Sequence, residues 1–299
     1  METFNSDHAP VTRAASARWL KRLVRLRTAE TIAIYVVLGA FCLFAMVPLL
    51  WALSTSLKVT AEVLHWPPIF VPSVLTFEHY ASVFTVKGLP RALLNSSLVA
   101  LLTIALTLFT ACPLAYVTAH FEFRLKRPLL FYILATVMVP GISVLLPLYL
   151  TAQRLGLIDT YVVLVLIYSA AMTPQVVWLL RGFFLTIAPE LEQAARIDGC
   201  SRLSAFGHVV LPLARPGLAA ASAFVFVYVW NDFLINVAMT SSASMRNIQV
   251  GLAMLISDVG ISWSEYTAYT MSITLPPVIT FLALQRWFLR SLSTGGLKG

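Results

Sequence analysis

Charge is what this sequence has least of. Asp, Glu, Lys and Arg make up only 11% of its 299 residues, whereas 59% are hydrophobic. A soluble domain carries about 25% charged residues, so a water-exposed globule of this size is excluded. Cysteine is nearly absent, with only Cys42, Cys112 and Cys200. An odd count at those spacings fits neither a disulfide framework nor a zinc site, and the three read as small space-filling residues. The five histidines, His8, His65, His79, His120 and His208, are scattered. A membrane enzyme would want His, Asp or Glu clustered near one bilayer face. His120 and His208 read as solvated or interfacial. Internal repeats, low-complexity tracts and a separate polar domain are also missing.

What the chain has instead is long apolar runs. Six are long enough to cross a hydrocarbon core of ~30 Å, at about 20 residues each. Their limits are about 30–54, 92–119, 128–150, 160–183, 216–238 and 266–289. The expected fold class is therefore an all-α, polytopic membrane protein. A polar, basic segment, 1–29, precedes the first run, and residues 30–299 form one transmembrane domain. The first run is too long for a signal-peptide core and lacks a small-residue cleavage site, so it reads as a retained span.

The net charge of +8 comes from basic residues that flank the apolar runs. They form no polar stripe with interleaved aromatics, which argues against nucleic-acid binding. With a cytoplasmic N-terminus, 16 of the 21 Lys and Arg residues fall in inner segments and 5 in outer ones. The positive-inside rule then gives both termini cytoplasmic. A missed span would largely erase that asymmetry. Prolines punctuate most spans: Pro48, Pro113, Pro140, Pro147, Pro174 and the pair Pro276–Pro277. Proline kinks helices and frees carbonyls that neighbours must satisfy. This suits a bundle with a cavity or moving parts, although membrane helices tolerate proline anyway. The outer segment 55–91 reads as an ordered interfacial stretch with a short helix. The outer segment 239–265 holds a second short helix in "IQVGLAMLI". Trp66, Trp263 and Tyr266 are interface anchors by type and position.

The inner segment 187–212 is the most informative. Pro189, Glu190 and Glu192 make the acidic first turn of a helix. Gly199 is a helix stop, Ser201 can cap a second short helix, and Pro212 and Pro216 end that helix before the fifth span begins. The adjacent Ala194 and Ala195 leave a patch where another surface can approach closely. The segment reads as a helix–turn–helix on the cytoplasmic face, and either a docking knob or a plain surface loop would fit it.

Inside the predicted spans Asp232 is the only acid, apart from Glu30 at the edge of the first. An intramembrane carboxylate is a functional candidate by default. Trp230, Asn231 and Asp232 offer an aromatic face, an amide and a carboxylate, a set suited to polyhydroxylated ligands. Asn236 and Gln175 are further path candidates. Two bland readings stand beside this one: a hydrated Asp232 near the outer interface, and a structural hydrogen bond to a neighbouring helix.

The run "ELEQAARIDG" followed by "LP" resembles the EAA loop of ABC importer permeases. The wider run "LLRGFFLTIAPELEQAARIDGCSRLSAFGHVVLPLARPGLAA", then "WNDFL" and the tail "QRWFLRSLSTGGLKG", is similar to the maltose-transporter-type carbohydrate permeases. So are "LLNSSLVALLT" and "LGLIDTY", and the likeness covers the chain from about residue 30 onward. It implies a bacterial inner-membrane permease subunit whose loop docks in a cleft of a cytoplasmic ATPase. Carried over by residue, the coupling positions are Gln193, Ala194, Ala195, Asp198 and Gly199, with Glu192 adjacent. The first EAA position is usually glutamate and here is Gln193; Glu192 faces about 100° away, so an ion pair made by that glutamate is in doubt. The chain has no G-x-x-x-x-G-K-[ST] run. No cofactor is expected in it; ATP and Mg would be bound by two separate ATPase subunits. A second, homologous permease chain, an extracytoplasmic substrate-binding protein and membrane lipid complete the implied partners. With Asp232 facing the path, a neutral sugar or polyol is favoured over an anion, although glycerol-phosphate-type substrates stay open. A stand-alone secondary transporter or channel is the alternative. It would want several intramembrane charges or an inverted repeat.

Overall fold

A computed structural model describes residues 11–257 and 260–295, with side chains described over 31–256 and 260–285. The first ten residues of the basic N-terminal segment and the basic side chains of the tail lie outside the described residues. The chain divides into two compact units, Met1–Ser54 and Thr55–Gly299. The first is almost entirely helix α1, Val11–Ser56. Helix therefore starts well before the apolar run, which occupies Thr31–Ser56. Side chains such as Tyr35, Phe41 and Phe44 project from it freely, as they would into lipid.

The second unit opens with two short helices, α2 (Thr60–Val63) and α3 (Glu78–Thr85), in the segment expected to be interfacial. Helix α4 (Leu89–His120) and helix α7 (Tyr161–Phe184) form its centre. The buried face of α4 shows why. Ala92, Asn95, Ser96, Val99, Ala100, Thr103, Thr107, Ala111, Ala115 and Thr118 recur at three- and four-residue steps. Small and hydroxylated side chains let helix backbones approach closely where lipid supplies no hydrophobic drive between helices. α7 answers with larger residues, Leu164, Tyr168, Met172, Val176, Leu180 and Phe184, all buried. Helix α11 (Arg215–Asn231) packs on α4, on α7 and on α14 (Trp263–Gly295). Where α7 and α11 meet, Gly217 lies under the Phe183 ring, and a Cβ there would collide with it.

Two expected spans are not straight. The third divides into α5 (Lys126–Val137) and α6 (Gly141–Arg154), bent by 90°. Pro140 stands at the break in extended conformation and supplies no amide to continue α5. The fifth enters through a 75° bend at Ala214 and ends early, at Asn231. After Asp232 the chain resumes as α12 (Leu234–Met239). Among the described residues, four helices are long and apolar enough to cross a membrane, or up to six if each bent pair is one span. The short helix expected in 239–265 is α13 (Ile248–Ala253); it is followed by a hairpin of two-residue strands that periodicity did not suggest, β1 (Ile256–Ser257) with β2 (Gly260–Ile261).

One residue ties two connections together. Asp159 adopts φ 66° between α6 and α7 and donates its amide to the Met239 carbonyl at 2.9 Å. Its Oδ1 accepts the Ser241 and Ser242 amides, each at 3.0 Å. Hydrogen bonds from the Ser242 side chain, then from the Ser242 and Ser241 amides, hold this carboxyl below the usual carboxylate range.

Two outcomes follow from this packing. Ala115 is wholly buried on the close-packed face of α4, so Ala115→Leu should cost about 1–3 kcal/mol. Phe109→Leu, on the outward face, should stay within about 0.5 kcal/mol; thermal unfolding in detergent checks both. A carboxyl with a depressed native pKa adds stability above its unfolded value of about 3.9 and loses it as pH falls through the native value. Amide exchange at Ser241 and Ser242 should therefore be protected at neutral pH and lose that protection below about pH 4.

Candidate coupling segment and substrate-path cluster

The segment 187–212 folds as the helix–turn–helix its residues imply. Helix α8 (Pro189–Ile197) carries Glu190 and Glu192 in its first turn. It ends in a complete two-bond cap: Gly199, at φ 94°, donates to the Arg196 carbonyl, and Cys200 donates to that of Ala195. Ser201 then caps α9 (Arg202–Ala205) by accepting the Ser204 amide at 3.2 Å. A π-helical turn, Phe206–Val210, leads into α10 (Leu211–Leu213) and the bend to α11. Pro212 lies inside α10 and does not end it.

Glu192 is turned inward. Its Oε2 lies 3.6 Å from His120 Nδ1, and the two side chains are only 12% and 7% exposed. The other ring nitrogen of His120, Nε2, is 3.0 Å from the Phe184 carbonyl. A carbonyl only accepts, so Nε2 carries a proton; Nδ1 faces the carboxylate beyond hydrogen-bond distance and attracts it only when it carries a proton as well. His120 is thus enclosed and partnered, not solvated as its position suggested. Below α8 lies a platform of rings. Tyr116 sits 4.6 Å from Phe206 and 5.1 Å from His120, and edge-on to Phe121 and Phe184 at 5.6 and 6.0 Å. The Arg202 guanidinium covers Phe121 at 5.3 Å. The ends of α4 and α7 and the π-helical turn therefore meet under one helix. On the outer side of α8, Gln193, Ala194, Asp198 and Gly199 are exposed, while Ala195 is half-buried. Ile197 and Leu203, which the sequence reading passed over, are 86% and 79% exposed and put an apolar tip on the segment.

The other end of α11 carries the Asp232 cluster. Asp232 leaves the helix in extended conformation. Its Oδ2 accepts the Tyr168 hydroxyl of α7 at 2.8 Å and the Ile235 and Asn236 amides at 3.0 and 3.3 Å. It caps α12 and bridges to α7, which is the structural hydrogen bond weighed as one alternative. Around it the interrupted backbone is satisfied by amide side chains. Asn247 donates to the Asp232 carbonyl, Gln249 donates to that of Trp230, and Asn236 Oδ1 accepts the Asn247 amide. Trp230 is buried, donates to the Ile273 carbonyl of α14 at 3.1 Å and stacks on Phe226. Asn236 is buried as well. Gln175 lies seven residues, about 10 Å, along α7 from Tyr168 and is not part of the cluster. Asn231 and Asp232 remain at a cavity of about 410 Å³, lined also by Phe224, Val227 and Tyr228. Tyr228 was missed because nothing in the sequence distinguishes it from a lipid-facing aromatic.

The described residues thus form a helical bundle, with four to six helices able to cross a membrane, that presents an exposed, capped helix–turn–helix seated on its own core. Comparison with known proteins makes this specific. Residues 111–294 match the family model of the binding-protein-dependent transport system inner membrane component. The sulfoquinovosyl glycerol transport system permease protein SmoH of Agrobacterium fabrum is 32% identical over 84% of this chain and 88% of its own length. The trehalose transport system permease protein SugB of Mycobacterium tuberculosis is 33% identical over 86% of this chain and 93% of its own. A chain in the crystal structure of a bacterial ABC transporter that imports the acidic polysaccharide alginate shares the fold, with a TM-score of 0.77 at 24% identity over 88% of this chain and 98% of that one. The chain belongs to the binding-protein-dependent transport system inner membrane component family.

Proposed function

We propose that the chain is the permease subunit of an ATP-driven importer for a carbohydrate, a sugar, oligosaccharide or related polyol. The observation that carries this reading is the exposed coupling segment on a chain of this family. The substrate class is supported by the relatives named for trehalose and sulfoquinovosyl glycerol transport.

In this reading the chain crosses the bacterial inner membrane six times with both termini cytoplasmic, each bent helix pair counting as one span. The 16 to 5 distribution of basic residues supports that orientation. Gln193, Ala194, Ala195, Asp198 and Gly199 meet a cleft in one of two ATPase subunits, which bind ATP and Mg. Ile197 and Leu203 fill its apolar floor. Gln193 cannot form the ion pair a glutamate would, so docking there rests on shape and apolar contact.

ATPase closure displaces α8. Because Glu192 holds α8 to His120, and the Tyr116 platform joins α4, α7 and the π-helical turn, displacement passes to the membrane helices together. α11 spans about 25 Å at 1.5 Å per residue. It joins the coupling segment at one end to the Asp232 cavity at the other. Tyr228, Asn231 and Asp232 would face the sugar there, while Trp230 and Asn236 hold the backbone in place. A second permease chain closes the path, and a loaded binding protein delivers substrate from outside. A carboxylate in the wall favours a neutral ligand.

Reconstitution tests this. The chain should take up sugar only together with a second permease chain, the ATPase and a binding protein, and loaded binding protein should stimulate ATP hydrolysis. Tyr228→Ala should lower uptake by about tenfold while leaving assembly intact, the loss of one aromatic contact of ~1.4 kcal/mol. Uptake by the chain alone would establish a secondary transporter instead.

A further inference from the structure

A second cavity, at the opposite end of α4 from the coupling segment, has features the transport reading does not use. It measures about 290 Å³ and is lined by Lys87, Gly88, Arg91, Arg246, Gly251 and Tyr269 among others. Three of these six are cationic. The carboxylate in contact is that of Glu265, 3.2 Å from Lys87 Nζ, and its other oxygen accepts the Ser82 hydroxyl. The wall therefore keeps an excess of positive charge. Arg91 uses Nε on the Ser244 carbonyl at 3.1 Å, which leaves its terminal nitrogens.

The cavity also lies at the N-terminus of α4. Gly88 is the cap residue at φ 71°, no side chain caps the helix, and its first turn holds no acid. The positive dipole end of a 32-residue helix thus lies at the cavity wall, with Leu89 and Arg91 carrying the leading amides that Pro90 lacks. The independent observation is Tyr269. It is wholly buried, and its hydroxyl has no hydrogen-bond partner. The hydroxyl lies against Gly251, where any Cβ would collide with it, so the glycine leaves the room it occupies. A buried hydroxyl is costly unless something accepts its hydrogen. Three cations, an uncapped helix terminus and an unpartnered donor converge on one chemistry.

We propose that this cavity binds a single phosphate-sized oxyanion. Arg91 and Arg246 supply charge-assisted hydrogen bonds, and the Tyr269 hydroxyl supplies a neutral one. The group can come from a phospholipid headgroup, which would pin this edge of the bundle to its leaflet, or from a soluble phosphate. The site does not depend on the carbohydrate reading.

The test uses the full chain in phosphate-free maltoside detergent, with inorganic phosphate as the probe and chloride at matched ionic strength as the control. The phosphorus resonance should broaden saturably on adding protein. Arg246→Gln and Tyr269→Phe should each weaken binding by about fivefold or more, the scale of one lost hydrogen bond. Arg124→Gln, beyond the opposite end of α4, should leave it unchanged, and circular dichroism checks that each variant is folded. The titration is then repeated in phosphatidylglycerol nanodiscs. Loss of phosphate binding there identifies the headgroup as occupant; its retention identifies a soluble ligand. No broadening in detergent, or equal binding by folded Arg246→Gln and Tyr269→Phe variants, would overturn the proposal.

Discussion

The contact between Glu192 and His120 is the interaction on which the rest of the arrangement depends. A nine-residue helix has too little internal stability to keep its place on a protein surface unaided. It must be held from beneath, where the Glu192 carboxylate and the His120 imidazole meet at 3.6 Å, an attraction when Nδ1 carries a proton. The imidazole is fixed in turn by the Phe184 carbonyl at the end of α7. One side chain therefore joins the coupling segment to the ends of both central helices. The ring platform around Tyr116 adds area and stiffness, and Gly217 under Phe183 brings α11 close to the same place.

A second constraint runs through the bundle. In lipid, no water satisfies an interrupted backbone. Where α11 stops, the Trp230 and Asp232 carbonyls are therefore met by Gln249 and Asn247, and the leading amides of α12 by Asp232. Of these, Asp232 also reaches the cavity, where the amide beside it is Asn231. Break and cavity meet at one residue: Trp230 and Asn236 pack behind the break, Asn231 edges the opening, and Asp232 does both.

Much of this was legible in the sequence, for physical reasons that differ by element. The spans show as apolar runs because the solvent for most of the surface is hydrocarbon. The coupling segment shows because Gly199, Ser201 and Pro189 act locally, through φ, capping and a missing amide. The 90° bend at Pro140 was not separable from the prolines that α4, α7 and α14 pass through as continuous helix. Whether a proline breaks or merely marks a helix depends on neighbours distant in sequence. The inward turn of Glu192 was equally hidden. Adjacent Glu192 and Gln193 differ by one side-chain atom, and only the position of His120 decides which is anchored and which is presented. Trp230, read as an aromatic face for a ligand, is buried instead, and its partner is the Ile273 carbonyl, 43 residues away.

The central claim is that displacement of α8 reaches the membrane through Glu192 and His120. The most direct measurement is a double-mutant cycle on the ratio of sugar transported to ATP hydrolysed in the assembled importer, with Glu192→Gln, His120→Gln and the pair. If the two residues act as one strut, each single change lowers the ratio and the double change lowers it no further. Independent, additive losses, or a ratio that survives both substitutions, would contradict it.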